Sequence, residues 1–166
     1  MSASRDPAPA PIKRSPLARV MGLFWRFHRS VYRRSGGRFG GRVLGMPVLL
    51  LTTTGRRSGQ PHTTALTYLT EGAHFAVVAS NGGAPQHPAW FLNLRAFPQA
   101  QIQVGSMAHR VRARQATGDE RERLWNRMVQ LYAGYRGYQA RTTRQIPVVV
   151  LEPMSQSEDL PKGGRI

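Results

Sequence analysis

The sequence predicts a mainly β protein with helices (α+β), built as a small antiparallel barrel of about six strands. Six short segments are rich in Val, Ile, Leu and Thr, and most of them are separated only by turns. These segments are 48–54, 63–69, 73–79, 101–104, 107–117 and 146–152. Because strands follow strands without crossover helices, the pattern excludes a doubly wound fold.

Two or three helices are predicted beside the barrel. Pro88 favours the start of a short helix over 89–96, which must end before Pro98. A capping box at Thr117–Glu120 predicts the start of a longer helix that continues to Leu131. Gly134 and Gly137 make an unbroken helix doubtful in the segment that follows, which we interpret as a candidate flap.

The chain divides into four segments. Residues 1–16 contain four prolines and are predicted to be a disordered leader, and residues 154–166 a disordered tail. Residues 17–43 are predicted to form a basic amphipathic helix and a Gly-rich linker. Residues 44–153 are predicted to form the barrel domain.

Composition points to an anionic partner. The chain of 166 residues has 24 Lys and Arg against 8 Asp and Glu, a formal net charge of +16. Such an excess suits nucleic acid, an acidic membrane surface or a multiply charged small molecule. The absence of cysteine excludes disulfides, thiolate metal sites and thiol catalysis. Without a recognisable signal peptide or membrane span, we expect a cytoplasmic protein.

The segment 17–34 has a second reading that involves the membrane. Its apolar residues recur at spacings of three and four, and residues 1–44 contain ten basic residues and one acidic residue. A basic amphipathic helix can lie on an anionic lipid surface, here the inner face of the cell membrane. The alternative is that the same face packs on the barrel or on a partner subunit.

A turn between the first two strands carries two cationic side chains. Gly55 and Gly59 bracket Arg56, Arg57 and Ser58. Two guanidiniums and a hydroxyl beside glycine amides suit a phosphate or a carboxylate. The alternative is a solvated turn with no ligand, and the turn alone does not decide between them.

Most self-sufficient catalytic groups are missing from the sequence. The eight acidic residues form no recognisable pair, and the five histidines lack metal-ligand spacing. Ser80 does not lie in a nucleophile-elbow sequence. An enzyme without these groups is expected to take its reactivity from a cofactor.

Four motifs carry a specific resemblance to a known family. In chain order they are LTTTGRRSGQP (51–61), VASNGGAPQHPAW (78–90), NL (93–94) and YQARTTRQIP (138–147). Together they resemble the deazaflavin-dependent nitroreductases, which bind coenzyme F420 on a split β-barrel like that of flavin reductases and FMN-binding proteins. The resemblance covers residues 44–153 and implies that this segment is an F420-binding domain.

The resemblance also implies a cofactor site. The residues expected to hold the phosphate and acidic tail of coenzyme F420 are Thr54, Gly55, Arg56, Arg57, Ser58 and His62. Those expected to line the deazaflavin ring are Val78, Ala79, Ser80, Asn81 and Gly82. The wall beside the cofactor is expected to consist of His87, Pro88, Ala89, Trp90 and Asn93. Family members commonly have arginine at the position of His62, and the effect of this difference is left open.

The function implied is hydride transfer from reduced F420 to a quinone-like or nitro-substituted acceptor. The catalytic candidates are Tyr132, Tyr135, Tyr138 and Ser80. The alternatives are an FMN-binding split-barrel reductase and a basic nucleic-acid-binding or membrane-binding protein without catalysis. No nucleic acid is expected, because the aromatic residues concentrate in helices and loops rather than on a strand face. The physiological acceptor and the oligomeric state are not predicted.

Overall fold

The computed structural model describes residues 42–43 and 45–155. The predicted leader, the predicted helix at 17–34 and most of the predicted tail lie outside these residues. In the described part of the chain, the strands are β1 (Arg42–Val43), β2 (Met46–Thr54), β3 (Pro61–Glu71), β4 (His74–Val78), β5 (Gln99–Val104), β6 (Met107–Gln115) and β7 (Val148–Pro153). The helices are α1 (Ala89–Ala96), α2 (Gly118–Leu131) and α3 (Gly134–Ala140), and a 3-10 turn covers Asn81–Gly83.

Six of the strands close into an antiparallel barrel. The hydrogen-bonded order is β1-β2-β3-β4-β7-β6-β5, and β2 also pairs with β5. Leu50 of β2, for example, lies opposite Ala65 of β3 and Gln103 of β5. Closure leaves β2 paired on both sides over its central residues. The predicted fold class, a split barrel of about six antiparallel strands with helices, is confirmed.

Strands β4 and β7 bury both of their faces over most of their length because two apolar clusters flank them. On β4 and β7, Val77, Val149 and Leu151 belong to the cluster on which α1 packs. The alternate residues Val78 and Val148 belong to the other cluster, under α2 and α3. Burial on both sides explains why β7 is almost entirely aliphatic rather than alternating.

The capping box predicted at Thr117–Glu120 is not formed. Helix α2 does begin here, but the Thr117 side chain makes no hydrogen bond at the helix N-terminus. The Glu120 carboxylate instead accepts two hydrogen bonds from Arg114 of β6, at 2.6 and 2.8 Å. These bonds hold the pKa of Glu120 below its usual value. A bidentate guanidinium pair is stronger than a bond to one backbone N–H, so it takes the carboxylate.

Helix α2 is also tied to the turn that joins β3 and β4. Glu71 accepts hydrogen bonds from Arg123, at 3.0 Å, and from Arg127. Exposed pairs of this kind contribute little stability individually. Their effect is to connect the middle of α2 to the end of β3. Among the described residues, no helix is both long enough and apolar enough to span a bilayer.

Candidate functional site

The loop between β2 and β3 is a tight turn whose two glycines are both required. The Gly55 amide donates to Gln60 O at 2.8 Å, and the Gly59 amide donates to Gly55 O at 2.7 Å. Gly59 has φ +68, which favours glycine. A Cβ at Gly55 would lie 2.6 Å from Ser58 Oγ and 2.7 Å from the His62 ring. The intervening Arg56–Ser58 segment is therefore presented at the tip of the hairpin.

The base of this loop is held by one buried amide side chain. Asn93 of α1 is only 4% exposed, and its Oδ1 accepts from the backbone amide of Arg56 at 3.2 Å and from Arg56 Nη1 at 3.3 Å. Its Nδ2 donates to Thr53 Oγ1 at 3.2 Å. Both ends of the amide are thus satisfied, and they connect α1 to the end of β2. The Arg56 guanidinium keeps its remaining donors for a ligand.

A hydroxyl and an imidazole lie beside the two arginines. Ser58 Oγ and His62 Nε2 are 3.3 Å apart, and the Gln60 amide donates to the same hydroxyl at 3.3 Å. Ser58 and His62 are both exposed. They add further hydrogen-bonding groups beside the arginines, which suits an anion that needs several contacts.

A cavity of about 450 Å³ opens beside this loop. Its lining residues are Gly55, Arg56, Arg57, Ser58, His62, Thr63, Thr64, Ala89, Trp90 and Asn93. The tail residues and the wall residues predicted from the sequence therefore meet in one cavity, except for Thr54, His87 and Pro88. Thr63 and Thr64 were not predicted, because polar residues at the start of a strand look the same whether they face solvent or a ligand.

The cavity is cationic. Within residues 45–155, the ion pairs use Arg114, Arg123 and Arg127, and no carboxylate lies within ion-pair distance of Arg56 or Arg57. Both of these arginines are exposed. A phosphate or a carboxylate can therefore take charge-assisted hydrogen bonds from them without displacing a partner. The donor set fits the anionic tail of coenzyme F420.

A second group of predicted residues lies on the loop from Ala79 to Pro88. Asn81 has φ +49, a left-handed conformation that is uncommon for a residue other than glycine, and its Nδ2 donates to Gln86 O at 3.0 Å. Gly82 has φ +63 and is exposed. The Val78 and Ala79 side chains are buried in the two apolar clusters. Neither residue lines the cavity, and the Ala79 amide donates to Pro147 O at 2.9 Å.

Arg144, in the segment between α3 and β7, holds this loop through contacts of its guanidinium. Sequence reasoning did not single it out. Its Nε donates to Ala84 O at 3.0 Å, Nη1 to Ala79 O at 3.2 Å and Nη2 to Ser80 O at 2.7 Å. Nη1 also lies 3.2 Å from His87 Nδ1. The only sequence signal was that Arg144 falls within the fourth motif.

His87 lies in an environment that favours its neutral form. Its ring packs against Phe91, with ring centroids 4.9 Å apart. Burial, with smaller contributions from the charges of Arg144 and Arg95, lowers the pKa of His87 below the usual 6.5.

The three predicted tyrosines form one cluster around the start of α3. The ring centroids of Tyr132 and Tyr135 are 5.4 Å apart, and those of Tyr135 and Tyr138 are 5.9 Å apart. The Tyr132 and Tyr138 hydroxyls lie 3.4 Å apart, whereas the Tyr135 hydroxyl lies 2.7 Å from Thr67 Oγ1. Tyr135 is 6% exposed and belongs to the apolar cluster under α2 and α3, while Tyr132 and Tyr138 are partly exposed.

The predicted flap is a short helix in the structure. Gly134 begins α3, where the Tyr132 ring lies so close that a Cβ at Gly134 would overlap it. Gly83 packs on the backbone of the same helix, because a Cβ there would lie 2.6 Å from Tyr138 O. The loop that carries Ser80 is therefore next to the tyrosine cluster.

The two groups of residues lie at either end of one strand face. Thr63 of β3 lines the cavity, and Thr67 of the same strand contacts Tyr135. Residues four apart on a strand share a face and are separated by about 13 Å. The loop from Ala79 to Pro88, which follows β4, passes the same two places, since Gly83 packs on α3 and the loop leads to Ala89 in the cavity wall.

This fold and site define a split-barrel protein with a cationic cavity. The family model described as F420H2-dependent quinone reductase matches residues 24–153. The chain belongs to this family, which confirms the predicted dependence on coenzyme F420. The name of the family specifies quinones and not nitro compounds.

Curated relatives agree with the family match. The chain is 45% identical over 130 residues to a Mycobacterium tuberculosis protein named F420H2-dependent quinone reductase, covering 76% of this chain and 87% of the relative. A second M. tuberculosis protein, named as a putative F420H2-dependent quinone reductase, is 43% identical over 108 residues, covering 65% of this chain and 91% of the relative.

Solved structures share the barrel. An F420-H2 dependent reductase (FDR-A) is 40% identical, with a TM-score of 0.60 over 64% of this chain and 94% of that chain. A structure described as a domain-swapped dimer is 37% identical, with a TM-score of 0.62 over 83% of this chain and 100% of that chain.

Proposed function

We propose that this protein transfers a hydride from reduced coenzyme F420 to a quinone-like acceptor, and that nitro-substituted compounds are further acceptors. The observation that supports this most directly is the cationic cavity, where Arg56 is fixed by the buried Asn93 and stands beside Arg57. This is the site that an anionic cofactor tail needs, in a chain of the F420H2-dependent quinone reductase family.

The tip of the β2–β3 hairpin would hold the tail. Arg56 and Arg57 would donate to its phosphate and carboxylates, and Ser58 and His62 would add donors beside them. Thr54, at the exposed end of β2, would flank the same contacts. Each charge-assisted hydrogen bond contributes roughly 1.5–3 kcal/mol.

The wall of the site would orient the ring. The loop backbone from Val78 to Gly82 would lie along one side, and His87, Pro88, Ala89 and Trp90 would continue the wall to the cavity. Reduced F420, when bound, supplies a hydride. The protein's contribution is then to fix the orientation of the reactants and to exclude water.

The tyrosine cluster and Ser80 would serve the acceptor. Bonding to Tyr132, together with burial, raises the pKa of Tyr138, and burial raises the pKa of Tyr135. Both hydroxyls therefore remain protonated near neutral pH. The partly exposed Tyr132 and Tyr138 can donate to the oxygen on which negative charge develops. The buried Tyr135 would position the other two rings through its contact with Thr67.

Cofactor binding is tested by fluorescence titration with F420 and, in parallel, with FMN. Saturable binding of F420 is expected, and Arg56→Ala is expected to weaken it by about tenfold or more, for a lost contact of roughly 1.5–3 kcal/mol. Arg136→Ala removes an exposed arginine from α3 and is the matched control. Tighter binding of FMN than of F420 would favour the FMN reductase alternative. Unchanged F420 affinity in an Arg56→Ala/Arg57→Ala protein would show that the tip does not hold the tail.

The acceptor step is tested with Phe substitutions at Tyr132, Tyr135 and Tyr138. Each variant is expected to keep F420 affinity close to that of the wild type. At least one should slow the oxidation of bound reduced F420 by menadione by about tenfold, or 1.4 kcal/mol of barrier. Stopped-flow measurement decides this, and wild-type rates in all three variants would assign the tyrosines to packing alone. The same assay with a nitroaromatic acceptor tests the nitro-compound part of the proposal.

Contact between residues 17–34 and an anionic membrane surface is a further part of the proposal. It rests on the apolar periodicity and basic charge of the sequence, because this segment lies outside the described residues. Sedimentation with vesicles that contain anionic lipid should fall as salt is added. Equal sedimentation of a protein that lacks residues 1–40 would contradict it.

A further inference from the structure

Arg144 uses its guanidinium on a single loop. Three of its donor contacts go to backbone oxygens, of Ala79, Ala84 and Ser80, at 2.7 to 3.2 Å. A fourth contact goes to the ring of His87 at 3.2 Å. Arg144 is 57 to 65 residues away from these partners in the chain. Its four contacts therefore join the segment before β7 to the loop.

Other contacts also hold this loop: Asn81 Nδ2 donates to Gln86 O at 3.0 Å, the Ala79 amide donates to Pro147 O at 2.9 Å, and Gly83 packs on the backbone of α3. Within the loop the Gly83 amide donates to Ser80 O at 3.0 Å, and the Ala84 amide donates to Asn81 O at 3.1 Å. Several of its residues have positive φ, a conformation that the chain does not adopt without support. Arg144 thus supplies long-range contacts that hold the first half of the loop and its far end, at His87, to one rigid group.

We propose that Arg144 is a positioning residue of the cofactor site. It holds the loop from Ala79 to His87, which forms one wall of that site, in its binding shape by bonding three loop carbonyls and His87 Nδ1. The proposal rests on the proposed function, since this wall is where we expect the ring of F420. Arg144 itself does not line the cavity. Its action on the cofactor is therefore indirect, through the loop.

The contact with His87 determines how that histidine can behave. A guanidinium has only donors, so Nδ1 of His87 must be the acceptor, and the neutral ring carries its proton on Nε2. Protonation of Nδ1 would remove this acceptor and place two cations 3.2 Å apart. The charged groups that act on His87 are Arg144 and Arg95 of α1, both cationic, while Phe91 of α1 packs on the ring. Acid should therefore loosen the wall at this end.

The first test observes His87 in the wild-type protein without cofactor. NMR of histidine labelled with ¹³C and ¹⁵N reports the tautomer and the titration of each ring, and the His87→Gln spectrum assigns the signal. The expected result is an Nε2–H tautomer that titrates below the usual 6.5. An Nδ1–H tautomer, or titration at or above that value, would overturn the proposal even if no variant of Arg144 folds.

The second test changes Arg144. In Arg144→Gln the titration of His87 should move to higher pH, because a neighbouring cation is removed. The amides of Gly83 and Ala84 should exchange with deuterium at least roughly tenfold faster. Arg144→Lys keeps a charge but cannot make all four contacts at once. We therefore expect its amide exchange rates to lie between those of the wild type and those of Arg144→Gln. Arg136→Gln is the matched control and should leave both measurements unchanged.

The effect on the cofactor is measured separately. If the binding-competent wall is populated less often, the dissociation constant for F420 rises by the same factor, here about tenfold in Arg144→Gln. The positioning role would be overturned if a folded Arg144→Gln protein kept three wild-type properties. These are the amide exchange rates, the titration of His87 and the affinity for F420. Failure of the wild type to bind F420 would instead reject the proposed function. The NMR measurement on His87 is made without cofactor, so it would still test the contact with Arg144.

Discussion

Replacement of Asn93 by Asp places a negative charge at the base of the cationic loop with almost no change in shape. The side-chain oxygen of Asn93 that accepts from the Arg56 amide and from Arg56 Nη1, at 3.2 and 3.3 Å, becomes a carboxylate oxygen. Arg56 would then have an intramolecular carboxylate partner. We expect Asn93→Asp to weaken F420 binding by competition for, and neutralisation of, this arginine.

The magnitude follows from the geometry. A bound anion on the far side of the guanidinium would lie about 6.5 Å from the new carboxylate, which costs roughly 2.5 kcal/mol at an effective dielectric constant of about 20. Because Arg56 is exposed, solvent screening reduces this to roughly 1–2.5 kcal/mol. The dissociation constant should therefore rise about fivefold to sixtyfold.

The assay is F420 fluorescence titration at pH 8 and at pH 5, with the wild type measured at both. Burial raises the pKa of the new carboxyl and Arg56 lowers it, so the loss of affinity should be larger at pH 8, where the group is ionised. Gln130→Glu adds the same charge on the exposed face of α2 and should leave affinity unchanged. Wild-type affinity of a folded Asn93→Asp protein at pH 8 would refute the assignment of Arg56 to the anionic tail.

Three further predictions concern the tyrosine end. Gly134→Ala should lower the free energy of unfolding in urea by more than about 1 kcal/mol, because the new methyl group overlaps the Tyr132 ring. Gly137→Ala is the control, since a methyl group there enters open space, and it should be neutral or stabilising. Tyr135→Phe should cost about 1 kcal/mol, because the hydrogen bond to Thr67 is lost; no change in thermal unfolding would contradict this. Since the folded pKa of Tyr135 is raised, stability should fall as pH rises above 10, and the fall should be smaller in Tyr135→Phe.

Much of the fold could be predicted because its signals are local. The β-branched run of β2, the aliphatic run of β7 and the Pro88 start of α1 each lie within a few residues, and the structure places elements there. Closure of the barrel could not be predicted in this way. It depends on pairing such as that of Leu51 with Ile102, between strands that are far apart in the chain.

In the candidate site, too, the features with local signals were predicted and those that depend on distant residues were not. Residues 55–59 alone predicted a turn with two arginines and left open whether it binds an anion, and Asn93 was predicted only by resemblance. Its function of fixing Arg56 became visible only when α1 was seen against the loop, 37 residues away. Arg144 was missed because an arginine near the start of a strand carries no local sign that it bonds three distant carbonyls. Thr117 shows the opposite error, since a local capping signal lost Glu120 to the non-local Arg114.

Strand β3 connects the cavity beside the arginines to the tyrosine cluster. From Pro61 to Thr67 this strand is paired residue by residue with β2, so the rise per residue sets the separation between Thr63 at the cavity and Thr67 at the tyrosine cluster. The loop that Arg144 bonds passes both places, because Gly83 packs on α3 and Ala89, which follows the loop, lines the cavity. We infer that β3 sets the length of ligand that the site accepts, while Arg144 determines how often the wall beside it is ready to bind.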